Sequence, residues 1–173
     1  SAATTPVRTS TLTPGTPQTI PDNLTGVLVA SFVVPPTCAL ASAITSVQLR
    51  INHSYNADLE VILYAPNGQG IYLLQDHGGS GDNVNCTFQT GGTALPTGNS
   101  TITGTRAPAQ AFSLLTGYAT GLWEIYMLDD ASGDIGTFVS ATLNFPGATC
   151  AAVTSNVWSP ATNLSSTTSL TPT

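Results

Sequence analysis

Residues 44–88 read ITSVQLRINHSYNADLEVILYAPNGQGIYLLQDHGGSGDNVNCTF. Val47, Leu49 and Ile51 recur at every second position, and Leu59, Val61 and Leu63 do the same. Successive side chains of a strand point to opposite faces, so each trio lies on one face of a strand. Ala65-Pro66-Asn67-Gly68 then reads as a turn, in which Pro presets φ and Gly accepts a positive φ. Ile71-Tyr72-Leu73-Leu74 returns as the second strand of a hairpin. A long loop follows from Gln75 through Gly78-Gly79-Ser80-Gly81-Asp82-Asn83, and Cys86-Thr87-Phe88 is a short strand.

The same signal extends in both directions. Upstream, Val27 to Val34 is a β-rich run closed by Pro35-Pro36. Downstream, the glycines and prolines from Gly91 to Pro108 read as a long connection. Trp123, Ile125 and Met127 then share one strand face, residues 129–136 form a turn, and Phe138 to Phe145 is the last strand. Short strands joined by turn-rich connections predict an all-β fold, a jelly-roll-like β-sandwich with extended N- and C-terminal tails. Residues 1–19 form a Thr/Pro-rich tail, residues 20–146 the sandwich, and residues 147–173 a Ser/Thr-rich tail. No internal repeat is visible.

Composition narrows the function. The 173 residues contain three Lys plus Arg, all of them Arg, against nine acids, for a net charge of −6. No basic patch for nucleic acid can be built from three cations, and anionic membrane surfaces are disfavoured as well. No apolar run approaches the roughly 20 residues that would insert into a membrane. The start, Ser1-Ala2-Ala3, would fit an end left by cleavage after small residues. An extracellular or cell-surface (secreted) protein is expected. The three cysteines fit no zinc pattern. One disulfide and one free thiol are expected, with Cys38 and Cys150 as the pair because both flank strands that could lie side by side.

Catalytic chemistry finds little support. The string His77-Gly78-Gly79-Ser80-Gly81-Asp82 lacks the final Gly of a nucleophile elbow and has no following helix. Asp58 and Glu60 stand two apart on a strand, which does not make the opposed pair a glycosidase needs. Acids do cluster in loops, with Asp76 and Asp82 in one and Asp129, Asp130 and Asp134 in another. Calcium takes six to eight oxygens from such loops, so these five are candidate calcium ligands, although Asp is also an ordinary turn residue. Tyr55, Tyr64, Tyr72 and Tyr126 could stack on a sugar, whereas Trp123 belongs to the core. Trp158 stands in a tail with no core of its own and is a candidate interaction residue.

Several motifs occur in order. His53, Tyr55, Asp58 and Leu59 fit H-x-Y-x-x-D-L, and Ala65, Pro66 and Gly68 end a strand as A-P-x-G. Gly78 to Asn83 spell G-G-S-G-D-N. Gly117, Gly121 and Trp123 fit G-x-x-x-G-x-W, and Asp129 with residues 133–136 fits D-x-x-x-G-D-x-G. Over residues 20–145 the chain resembles the P domain (Homo B domain) of proprotein convertases, of the bacterial type. The resemblance implies a jelly-roll sandwich without catalytic activity. It also implies a module that follows a subtilisin-like protease domain, stabilises it and tunes its calcium and pH dependence. Gln89 and Thr90 stand where that family often has an acidic pair, Ala141 where a Trp is common, and Thr105 where a Tyr precedes Arg106.

The expected function is therefore a non-catalytic extracellular module acting on another protein or on copies of itself, with calcium as the one candidate cofactor. Self-assembly through the tails, as a homo-oligomer or filament, is the leading form. An accessory domain of a secreted subtilisin-like protease is the alternative. A carbohydrate-binding or adhesive module is the weaker one.

Overall fold

In a computed structural model, residues 7–8, 18–22 and 26–147 are described, and only the backbone of residues 7–8. Cys150 and Trp158, with the rest of residues 148–173, lie outside the described residues.

Ten strands form two sheets. They are β1 (Val7–Arg8), β2 (Gln18–Ile20), β3 (Val27–Val34), β4 (Ser46–His53) and β5 (Leu59–Tyr64), then β6 (Gly70–Gln75), β7 (Val84–Thr93), β8 (Ile102–Arg106), β9 (Gly121–Asp129) and β10 (Gly136–Phe145). The larger sheet runs β1-β10-β4-β7-β8, with β2 also on the outer edge of β10, and the smaller runs β3-β9-β5-β6. Neighbours are antiparallel except β7 and β8. This is jelly-roll wiring: β2-β10-β4-β7 faces β3-β9-β5-β6, and β8 is added beside β7. The regular helices among the described residues are three single 3-10 turns, Ala41–Ala43, Asn56–Asp58 and Phe112–Leu114. None of the described helices is long and apolar enough to cross a membrane.

The period-two faces are the inner faces. Val47, Leu49 and Ile51 of β4, Leu59, Val61 and Leu63 of β5, and Trp123, Ile125 and Met127 of β9 are all buried. Trp123 is the largest fully buried side chain; its ring packs 5.3 Å from that of Phe145 across the two sheets. Its indole Nε1 donates to the Ala119 carbonyl at 2.7 Å, which removes the penalty of burying an N–H. The β5–β6 turn forms as expected, with Gly68 N donating to Ala65 O at 2.9 Å and Gly68 at φ +82°.

Two elements differ from the sequence reading. The stretch 91–108 contains a strand, β8, where a connection was expected. Only Ile102 of β8 is buried, and Gly104 sits at φ +77°, so this edge strand lacks an alternating apolar face. Two pieces of the stretch read as the N-terminal tail are strands as well, since β1 and most of β2 fall within residues 1–19. Cys38 is disulfide-bonded, whereas Cys86 is a buried free thiol. Burial pushes the Cys86 thiol up to about 12, with Arg106 opposing the shift.

Candidate functional site

The acids gather at one end of the sandwich, where β4 leaves for the 56–58 turn, β6 leaves for the glycine loop, and β9 turns into β10. The centre of this end is an ion pair. His53 closes β4 and Asp129 closes β9, and His53 Nε2 lies 3.0 Å from Asp129 Oδ2 with both side chains fully buried. His53 Nδ1 lies 2.8 Å from the Tyr55 carbonyl and 3.1 Å from Tyr55 N, so both ring nitrogens have polar partners. Asp129 Oδ1 also accepts from Ala131 N at 3.4 Å, starting the turn to β10. This pair ties β4 of the larger sheet to β9 of the smaller.

The G-G-S-G-D-N loop is a packing element around Asn56. Asn56 N donates to Gly81 O, and Ala57 N donates to Gly79 O, at 2.9 and 3.0 Å. Asn56 Nδ2 donates to the carbonyls of Asn83 and Ser100 at 3.0 and 3.2 Å, while its Oδ1 is buried without a partner. A Cβ on Gly81 would lie 2.2 Å from the Ser100 carbonyl carbon, so only glycine fits there. Asp76 and Asn83 bracket the loop at φ 51° and 63°, a left-handed conformation that Asp and Asn tolerate. His77 Nδ1 is spent on the Gln75 carbonyl.

The five candidate calcium ligands are not brought to one point. Asp129 is committed to His53. Asp134 accepts from Ser54 Oγ at 2.7 Å. Asp82 lines a cleft of about 540 Å³ with His53, Ser54 and Ile135. Asp76 and Asp130 do converge, with Glu60 as a third partner, and their carboxylate oxygens lie within 4.8 Å of one another. Glu60 carried no signal for this in the sequence: its partners come from the end of β6 and the β9–β10 turn. The trio offers hard oxygen donors, the type calcium or magnesium takes, so this donor set fits a divalent cation. Asp58, which lies in the 56–58 turn and not on the strand with Glu60, feels the same crowd. Its carboxyl is raised above 3.8 first by burial and then by Asp129 and Asp134, with His53 opposing and Asp130 adding to the rise.

A second surface lies on the outer face of the smaller sheet. Ile62, Tyr64, Pro66, Leu122, Tyr126 and Leu128 line a cleft of about 450 Å³, with Glu124 as its carboxylate. Tyr64 and Tyr126 meet edge to face at 5.5 Å, so they do not form a flat platform for a sugar ring.

The family model described as proprotein convertase P-domain matches residues 43–145, more than half of the chain. The chain belongs to the proprotein convertase P-domain family. It is similar in fold to the Aeromonas sobria serine protease in its complex with a chaperone. The TM-score is 0.54 and the identity 13%, over 84% of this chain and 27% of that one. A crystal structure of the serine protease of Aeromonas sobria aligns at a TM-score of 0.41 and 17% identity, over 80% of this chain and 27% of that one. The chain thus spans about a quarter of the length of these proteases. No curated protein matches.

Proposed function

We propose that this chain is a non-catalytic, extracellular P-domain module that works by protein–protein contact, and that its partner is a further copy of itself. The observation that carries the reading is the cover on β10. The outer edge of that strand is completed by β1 and β2, two short strands, of which β2 places Ile20 in the core. A sheet edge completed by short strands is a route to assembly, because the same pairing can be made by a strand of a neighbour. The apolar outer face of the smaller sheet offers a further contact surface. A disulfide at Cys38 persists in an oxidising compartment, which supports the extracellular assignment.

Light scattering on the purified chain tests this. The full chain should form particles larger than one chain. Removal of residues 1–19 or 147–173 should abolish them and leave a folded core. If both truncated chains form the same particles as the full one, tail donation is wrong.

A second reading is favoured by the family itself and by the chain's span of about a quarter of the Aeromonas sobria protease. It makes the chain an accessory domain that stabilises a secreted subtilisin-like protease. That reading predicts a monomer that binds such a protease. Calcium is proposed as the ion held by Glu60, Asp76 and Asp130, supported by the convergence of their oxygens. A chelator that changes neither melting temperature nor particle size would sink the calcium proposal.

A further inference from the structure

The two sheets present different outer faces. β4 and β7 turn Gln48, Arg50, Asn52, Asn85 and Thr87 outward, the polar set expected where an antiparallel sheet meets water. β5 and β9 keep the same alternation but turn Ile62, Tyr64, Leu122, Tyr126 and Leu128 outward, with Glu124 among them. These six line the cleft of about 450 Å³ on the smaller sheet. Leu122 is 50% exposed, and the other five are half-buried.

Two glycines set the walls of this cleft. A Cβ on Gly70 would lie 2.7 Å from Tyr64 Cε1, so the Tyr64 ring rests over bare backbone of β6. A Cβ on Gly121 would lie 2.8 Å from Pro66 Cβ, so Pro66 closes against the start of β9. The rings of Tyr64 and Tyr126 stand at 85° to each other, an arrangement that leaves a ring face uncovered by its partner.

Glu124 occupies the centre of the face. Its register neighbours are Tyr64 on β5 and Ser31 on β3, and Leu122 and Tyr126 flank it along β9. Glu is depleted from strands, and a carboxylate set among apolar side chains loses part of its hydration. Glu60, on the same face, receives Gln75 Nε2 at 3.4 Å. Among the described residues the one ion pair is His53–Asp129, so Glu124 has no cation. The chain has no Lys, and its three arginines, Arg8, Arg50 and Arg106, lie on β1, β4 and β8, all strands of the larger sheet.

We infer that this cleft receives an arginine side chain of another protein. The guanidinium meets the Glu124 carboxylate with two N–H groups and lies against a face of Tyr64 or Tyr126. The arginine stem and an adjoining apolar side chain rest on Ile62, Leu122 and Leu128. Charge complementarity selects a cation, and arginine fits best: its planar fork matches a carboxylate, it stacks on aromatic rings, and it is more weakly hydrated than an ammonium. Tyrosine and arginine are also the residue types that carry much of the energy of protein interfaces. The site lies on the sheet that does not contain β10, so the inference goes beyond the self-assembly reading and stands whether or not copies assemble.

Saturation-transfer NMR on the full chain tests it, with the peptide acetyl-Leu-Arg-Leu-amide as probe. Saturation should reach the arginine methylene and leucine methyl protons. Citrulline in place of arginine keeps the shape and loses the charge, and should weaken binding about tenfold, the loss of one charge-assisted hydrogen bond. Glu124→Gln should weaken the arginine peptide by the same factor and leave the citrulline peptide unchanged, with a melting curve showing that the variant is folded. Asp82→Asn, at the acidic end, should change neither. Absence of saturation in the arginine peptide, equal binding of the two peptides, or arginine binding that survives Glu124→Gln overturns the inference. Loss of binding in Asp82→Asn overturns it in favour of the acidic end. If Arg50→Ala raises the affinity for the arginine peptide and Glu124→Gln cancels that rise, the occupant is a second copy and the assignment to another protein falls.

Discussion

At the scale of single residues, the His53–Asp129 contact decides the stability of the acidic end. The two residues are 76 positions apart, and both were visible in the sequence as motif positions. Their meeting was not legible, because it depends on β4 and β9 ending at the same level in opposite sheets. His53→Ala leaves Asp129 buried and unpaired. Breaking a buried pair from one side costs about 3–5 kcal/mol, and urea unfolding at neutral pH should show a loss of that size. Removing both partners together should recover part of it, because no uncompensated charge is then left inside. Asp58 predicts an effect of opposite sign. Its folded-state carboxyl sits above the ordinary 3.8, so the native state holds the proton more tightly than the unfolded chain does. Ionising it therefore lowers stability as pH rises from the ordinary carboxylate range through the raised value. Asp58→Asn should raise the melting temperature at pH 7. That gain should shrink as pH falls and vanish below about 3.8, where Asp58 is protonated in both states; melting curves across pH 3–8 read it directly.

At the scale of elements, the strands with a regular apolar pattern were legible in place, two of them to the residue, while β4, β9 and β10 differ from the reading by one or two residues at an end. β3 and β5 span the runs Val27 to Val34 and Leu59 to Tyr64 that the pattern marks out. The pattern fails where a strand has no buried face to announce, as in β8, or is too short to alternate, as in β1 and β2. The glycine loop is an intermediate case. Its composition marks a loop, and its physical role appears only once Ser100 is seen to lie against it. Gly81→Ala would drive a Cβ to within 2.2–2.5 Å of the Ser100 backbone. Neither backbone can yield without breaking the hydrogen bonds from Asn56 and Ala57 to this loop. The expected loss is about 3 kcal/mol, the upper part of the ordinary range for a point change. Chemical denaturation of the variant checks it. Gly68→Ala meets open space, so its cost should be only that of a positive φ, about 1 kcal/mol.

At the scale of the whole molecule, the charge distribution is polar. Of the nine acids, only Glu124 lies away from the end that holds the His53–Asp129 pair. Among the described residues that pair is the one ion pair, so no Arg offsets the crowd. Self-repulsion in such a group opposes the compact state and is screened by salt over about 8 Å at physiological ionic strength. Sodium chloride should therefore raise the melting temperature between low and physiological ionic strength. Calcium adds a separate term if Glu60, Asp76 and Asp130 bind it, because an ion bound only by the folded state stabilises it by mass action. The two contributions separate cleanly. At fixed ionic strength, millimolar calcium should raise the melting temperature beyond sodium chloride alone, by about 2.7 kcal/mol in stability at a hundred times its dissociation constant. Glu60→Gln with Asp130→Asn should abolish that calcium increment and leave a stabler apo protein, since it removes two like charges from the same end. An increment that survives in the double variant would place the ion elsewhere. No increment in the parent would leave screening alone as the action of salt on this end.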